Sequence, residues 1–198
     1  MYEKYGQFID GKWHKSSTGE TYEVINPANE EIIGKASKAS PEDVDKALLS
    51  AQKGLEVWKK TPPWQRAYIL RRIADKMREK QDILAKWMTL EVGKPFAEAK
   101  GEVNGAADIY EWNAEETKRI YGQTVESRFE DTRVHVYYQP VGVVAALVPW
   151  NFPLVLSARK ISTALAAGCS VIVKPDVITP GVVMEQVEIC RECGVPPG

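Results

Sequence analysis

The chain has 198 residues, 44% of them hydrophobic and 27% charged, enough to bury a sizeable core and too apolar for a disordered tail. A formal net charge of −1, with acids and bases mixed along the chain, presents no basic face of the kind that holds a phosphate backbone and argues against a nucleic-acid partner. Its 3 cysteines do not make the disulfide framework of a small secreted protein, and MYEKYGQFIDGKW has no apolar core behind positive charge, so a cytoplasmic setting is expected.

From FIDGKW through NPANEE, β-favouring residues alternate with Asp-Gly and Asn-Pro turn signals, which predicts short strands in hairpins. Ser40, Pro41, Glu42 and Asp43 then give a capping residue, a first-turn proline and two acids, and Val44, Ala47, Leu48, Ala51, Leu55 and Trp58 follow at helical spacing. A helical pattern in two pieces runs from Pro62 to Val92, its second piece carrying Leu84, Trp87, Met88 and Glu91, and stops at Gly93. The next helix, from about Phe96 to Ile120, carries Val103, Ala107, Tyr110 and Ala114. Residues Gln123 to Gln139 read as two strands joined by the charged turn ESRFEDTR.

The last third changes in kind. Gly142 to Val148 is a continuous apolar run, as in a strand buried on both faces; Pro153 to Ala167 fits a helix; Ser170 to Lys174 is a second buried strand; and Thr179-Pro180 starts a helix ending at Gly194. This βαβα rhythm predicts an α/β fold that opens a doubly wound, parallel, Rossmann-like sheet without completing it. Two parallel strands cannot cover their own edges, so pairing with another chain or a longer protein is expected. The charge-free stretch Val136 to Ala158 is long enough to span a bilayer. However, Pro140, Gly142, Pro149, Asn151 and Pro153 would leave backbone groups unpaired in lipid, so no membrane association is expected.

Open α/β sheets bind ligands at the carboxyl ends of their strands. Here that loop is Pro149-Trp150-Asn151-Phe152-Pro153, with no GxGxxG. A carboxamide fixed there between two prolines can donate to an oxyanion forming on a carbonyl under attack. Equally, Asn151 can cap the helix that follows. Lys174, ending the second strand, can reach ribose or phosphate oxygens of a nucleotide, or it can be a solvated strand-end lysine. Cys190 and Cys193 fall in the last turn of a helix, where its dipole raises a thiol pKa, and neither they nor Cys169, His14 and His135 show a zinc spacing; no metal is expected.

QPVGVVAALVPWNFPLVLSARK, ALAAGCSVIVKP, FIDGKW, NPANEE and EWNAEETKRIYG together resemble the aldehyde dehydrogenase superfamily over the whole chain, and most its succinate-semialdehyde dehydrogenase branch. The resemblance implies NAD(P)-dependent oxidation of an aldehyde through a cysteine-bound thiohemiacetal and thioester, with NAD or NADP as cofactor. It places Asn151 in the oxyanion hole and the cofactor at Val148, Pro149, Trp150, Lys174, Asp176 and Val177. It divides the chain into 1–122, strands and helices of the cofactor domain; 123–140, a hairpin arm that oligomerises with another subunit; and 141–198, the first βαβα units of the Rossmann-like domain. Arg159, by itself one more solvated cation, matches a position where succinate-semialdehyde dehydrogenases carry an arginine facing the substrate. A short semialdehyde is implied, or a hydroxyaldehyde of the lactaldehyde type.

In two respects the chain departs from the family. Members preferring NAD usually carry glutamate where this chain has Val177, so NADP use is expected as well. Family chains also continue well past the position of Gly198, with the cysteine nucleophile and glutamate base. The resemblance therefore implies an N-terminal portion, inactive by itself and self-associating; a non-catalytic fragment held by strand pairing is the alternative.

Overall fold

The structure is a computed structural model that describes residues 2–198. After a short 3₁₀ turn at Tyr2–Lys4 come two antiparallel hairpins: β1 (Gln7–Ile9) with β2 (Lys12–His14), and β3 (Thr21–Ile25) with β4 (Ile32–Ser37). The first closes on Asp10 and Gly11, at φ 52° and 76°; two successive left-handed residues match the twist of the strands they join, which is why Asp-Gly marks the turn. Asn26 closes the second, its Oδ1 accepting from the Ala28 N–H at 3.0 Å.

Helix α1 spans Pro41–Trp58 and begins with a capping box: the Ser40 hydroxyl accepts from the Asp43 N–H while Asp43 accepts from the Ser40 N–H. The same carboxylate takes the Ser17 N–H, and these hydrogen bonds hold its pKa well below the usual carboxylate range. The buried face of α1 is Ser50, Ala51, Gly54 and Trp58, with Ala47 and Leu55 half-buried and Val44 and Leu48 exposed. The expected stripe is therefore rotated toward smaller residues. Gly54 explains this, because a Cβ there would lie 2.5 Å from the Gly198 carbonyl oxygen; the helix is seated by close backbone approach.

Helices α2 (Pro63–Glu79), α3 (Gln81–Val92) and α4 (Phe96–Thr117) form the helical layer. Leu70, Ile73, Ala74 and Met77 of α2, Leu84, Trp87 and Met88 of α3, and Val103, Ala107, Tyr110 and Ala114 of α4 meet in one core. Each large side chain fully buried there contributes about 1.5–3 kcal/mol. Gly93 ends α3 in the left-handed conformation, φ 77°.

Strands β5 (Gln123–Glu126) and β6 (Arg133–Val136) pair antiparallel, with every residue exposed except a half-buried Val136. The C-terminal third is β7 (Val143–Leu147), α5 (Pro153–Ala166), β8 (Ser170–Lys174) and α6 (Pro180–Cys193). β7 and β8 pair in parallel from Val143 opposite Ser170 to Leu147 opposite Lys174. The crossover through α5 makes this an incomplete α/β Rossmann-like unit.

The expectation that both strands are buried on two faces is corrected here. Ala146 and Val148 are buried and Val171 and Val173 pack on the core, but Ala145 and Leu147 are exposed. Among the described residues the outer edges of this pair carry no partner strand, and an apolar cleft of about 780 Å³ opens between β8, α1, α6 and the N-terminal hairpins.

Candidate active site

The β7 ladder runs one residue further, the Val148 N–H donating to the Lys174 carbonyl at 3.1 Å, and so ties the carboxyl ends of the two strands together. Beyond this bond both strands give way to loops: Pro149 to Phe152 after β7, and Pro175 to Thr179 after β8. The predicted residues Val148, Pro149, Trp150, Asn151, Lys174, Asp176 and Val177 thus gather at one end of the parallel pair, where open sheets take ligands. Pro149, Trp150, Asn151, Lys174 and Val177 are exposed and Asp176 is half-buried.

Asn151 does not cap α5. The residue before that helix is Phe152, with no side-chain capping bond, and the Asn151 carboxamide makes no hydrogen bond to the described residues. The first free N–H groups of α5, on Leu154 and Val155, instead donate to Glu102 Oε1 at 3.0 and 3.2 Å. Glu102 is buried on α4, and its other oxygen pairs with Lys94. Lys94 Nζ also donates to the Asn151 carbonyl at 3.4 Å and stands 3.9 Å over the Phe152 ring. The loop is thereby held through its backbone, leaving its amide side chain uncommitted.

The second loop is built the same way. The Asp176 carboxylate accepts from the Ile178 N–H at 3.0 Å in a local turn, and Lys174 Nζ reaches only its own neighbour's carbonyl, Pro175, at 3.1 Å. α6 has Thr179 at its start without a side-chain cap. Its first N–H groups, on Gly181 and Val182, donate to Glu91 at 2.6 and 3.1 Å, and the Tyr2 hydroxyl donates to the same carboxylate at 2.5 Å. Burial pushes the Glu91 carboxyl up to about 7 against the pull of these donors.

Arg159 lies six residues into α5, exposed, and its guanidinium has no ionic partner among the described residues. The structure does not join it to the loop cluster by any hydrogen bond. Cys169, Cys190 and Cys193 are buried; burial pushes the Cys190 thiol up to about 12 and raises Cys193, so neither is a thiolate at neutral pH. Among the described residues no three His, Cys, Asp or Glu side chains gather as a metal site would, and no helix is long and apolar enough to cross a membrane.

Sequence reasoning did not assign Lys94 and Glu102, and it took Glu91 as one more position of a packed stripe. An acid on an apolar stripe, as at Glu91 after Trp87 and Met88 or at Glu102 before Val103, is the available signal. A buried carboxylate requires donors.

A parallel β-α-β unit with its open loops at the carboxyl ends defines a nucleotide-type α/β domain. The family profile described as the aldehyde dehydrogenase family matches residues 13–198, and the chain belongs to that family. It is 44% identical over 191 residues to a glutarate-semialdehyde dehydrogenase of Pseudomonas aeruginosa, covering 96% of this chain and 40% of that one. It is 44% identical over 190 residues to a succinate-semialdehyde dehydrogenase [NADP(+)] of Escherichia coli, at 96% and 39% coverage. Among solved structures, an E. coli NADP-dependent enzyme superposes with a TM-score of 0.96 at 42% identity, over all of this chain and 41% of the other. The chain thus spans about 40% of the length of the relatives it matches.

Proposed function

We propose that this chain is the part of an NAD(P)-dependent semialdehyde dehydrogenase that supplies the oxyanion donor and one side of the cofactor site. The observation that carries this reading is Asn151, whose backbone is held at the mouth of the parallel pair by Lys94 and whose carboxamide is left free to donate because Glu102 takes the start of α5. A donor held in place before the reaction costs no reorganisation when charge develops on a carbonyl oxygen, and losing one costs about 10²–10³ in rate. The exposed Lys174 ammonium, committed only to its neighbour's carbonyl, fits the hydroxyls of an adenosine ribose. The dinucleotide, when bound, supplies the hydride acceptor. Val177 offers no carboxylate to repel a 2′-phosphate, and the NADP-dependent relatives support NADP as well as NAD.

The substrate in this reading is a short aldehyde with an anion at its far end, bound as an acid-tailed semialdehyde such as succinate semialdehyde. Glutarate- and succinate-semialdehyde dehydrogenases and a 3-sulfolactaldehyde dehydrogenase among the relatives support an anionic tail. The nucleophile in this reading lies in sequence outside this chain, since its three cysteines are buried away from the loops. The exposed β5–β6 hairpin is the arm that joins a neighbouring subunit. Asn151→Ala in the intact enzyme is expected to lower kcat by about 10²–10³ with little change in the cofactor KM; an unchanged kcat would overturn the oxyanion assignment.

A further inference from the structure

The helices that follow the two site loops share a construction that nothing local supplies. α5 and α6 both begin with proline, Pro153 and Pro180, and neither has a capping side chain of its own. Phe152 has no acceptor, and the Thr179 hydroxyl, buried, makes no hydrogen bond. In each case the first two free N–H groups are taken by one buried glutamate reaching across from the helical layer: Glu102 of α4 for Leu154 and Val155, Glu91 of α3 for Gly181 and Val182. Each glutamate is anchored by a second donor, Lys94 for Glu102 and Tyr2 for Glu91.

The packing is tight where such a remote cap needs it. A Cβ at Gly181 would overlap the Trp87 ring and lie 2.7 Å from Glu91 Oε1, so only glycine lets α6 approach α3 closely enough. Capping by a distant residue costs more order than a serine at the N-cap position would. It does what a local cap cannot: it fixes the start of each helix, and therefore the end of the loop before it, relative to the helical layer. Asn151 is two residues before Pro153, and its carbonyl is held by the same Lys94. Lys174 is six residues before Pro180, with Asp176 between.

We infer that Glu102 and Glu91 are paired positioning residues, Glu102 with Lys94 aiming the Asn151 carboxamide and Glu91 with Tyr2 setting the Lys174–Asp176 turn against the cofactor. The assignment of tasks rests on the function proposed above, whereas the two caps themselves do not. A displacement of about 1 Å in a reacting group can cost about 10² in rate, so loosening each cap should be felt at its own loop.

The test is a pair of near-isosteric variants, Glu102→Gln and Glu91→Gln, in the intact enzyme, with Ser40→Ala as a control that weakens a helix cap in which neither glutamate takes part. Expected for Glu102→Gln is a kcat lower by about tenfold or more with the NADP KM within about twofold of wild type. Expected for Glu91→Gln is the converse, a KM for NADP raised by about tenfold with kcat at saturation nearly unchanged. Ser40→Ala should lower Tm and move neither constant. Amide hydrogen exchange is read in parallel: it should quicken at Leu154 and Val155 only in Glu102→Gln, and at Gly181 and Val182 only in Glu91→Gln. Both variants lowering kcat and raising KM in proportion to their loss of Tm, or exchange unchanged at the named amides, would overturn the inference. If the wild-type enzyme turns over no aldehyde, the proposed function fails and exchange alone still decides whether the two caps hold their loops.

Discussion

Arg159 sits roughly 9 Å along the α5 axis from Pro153 at the helical rise, exposed and without an ionic partner among the described residues. A guanidinium with free donors can take a carboxylate bidentately, which a lysine ammonium cannot. Arg159→Ala in the intact enzyme is expected to raise KM for succinate semialdehyde by about tenfold, equivalent to about 1.4 kcal/mol, while barely changing it for an uncharged aldehyde of similar length. Equal effects on both substrates would assign Arg159 to the helix instead. The arginine and the asparagine were both legible in the sequence as candidates. Whether Asn151 caps α5 depended on Glu102, which lies 49 residues earlier and arrives only through the packing of α4 on α5.

At the scale of the element, the capping signals behaved differently on the two sides of the molecule. α1 begins where Ser40 and Asp43 predict, because its cap is written within four residues. α5 and α6 carry the first-turn proline but take their caps from elsewhere, so no local motif announces them. The Glu91 cap has a measurable consequence with pH. Its folded carboxyl is pushed up to about 7 from an ordinary 4.5, so the folded chain binds this proton more tightly than the unfolded one. The associated stability is fully present below about pH 4.5 and is lost as pH rises through 7, on the order of 3 kcal/mol for a group so buried. Urea unfolding of the chain at pH 5 and pH 8 should show this decline in wild type and a shallower one in Glu91→Gln; parallel profiles would remove Glu91 as the source.

At the scale of the whole molecule, the parallel sheet decides behaviour in solution. Among the described residues β7 and β8 have outer edges without a partner strand, and Ala145, Leu147 and Val141 leave apolar surface exposed beside them. Unpaired edges and apolar patches of this kind recruit further strands. The isolated chain is therefore expected to self-associate and to produce no NAD(P)H from any aldehyde. Light scattering at micromolar concentration checks the first, and a monodisperse monomer would contradict it; time-dependent NAD(P)H formation by the purified chain would contradict the second.

The amino-acid sequence alone determined the order of elements, the turns at Asp10-Gly11 and Gly93, the parallel pair and the loop on which Asn151 stands, because each depends on periodicity or on residues adjacent in the chain. The motif PWNFP and its companions carried the family as well. Only the tertiary structure decided which face of α1 is buried, that β7 is half open to solvent, and that two glutamates from the helical layer cap α5 and α6. Those outcomes depend on which surfaces meet across dozens of residues, and a buried carboxylate looks the same in sequence whether its donors are a local turn or the start of a distant helix.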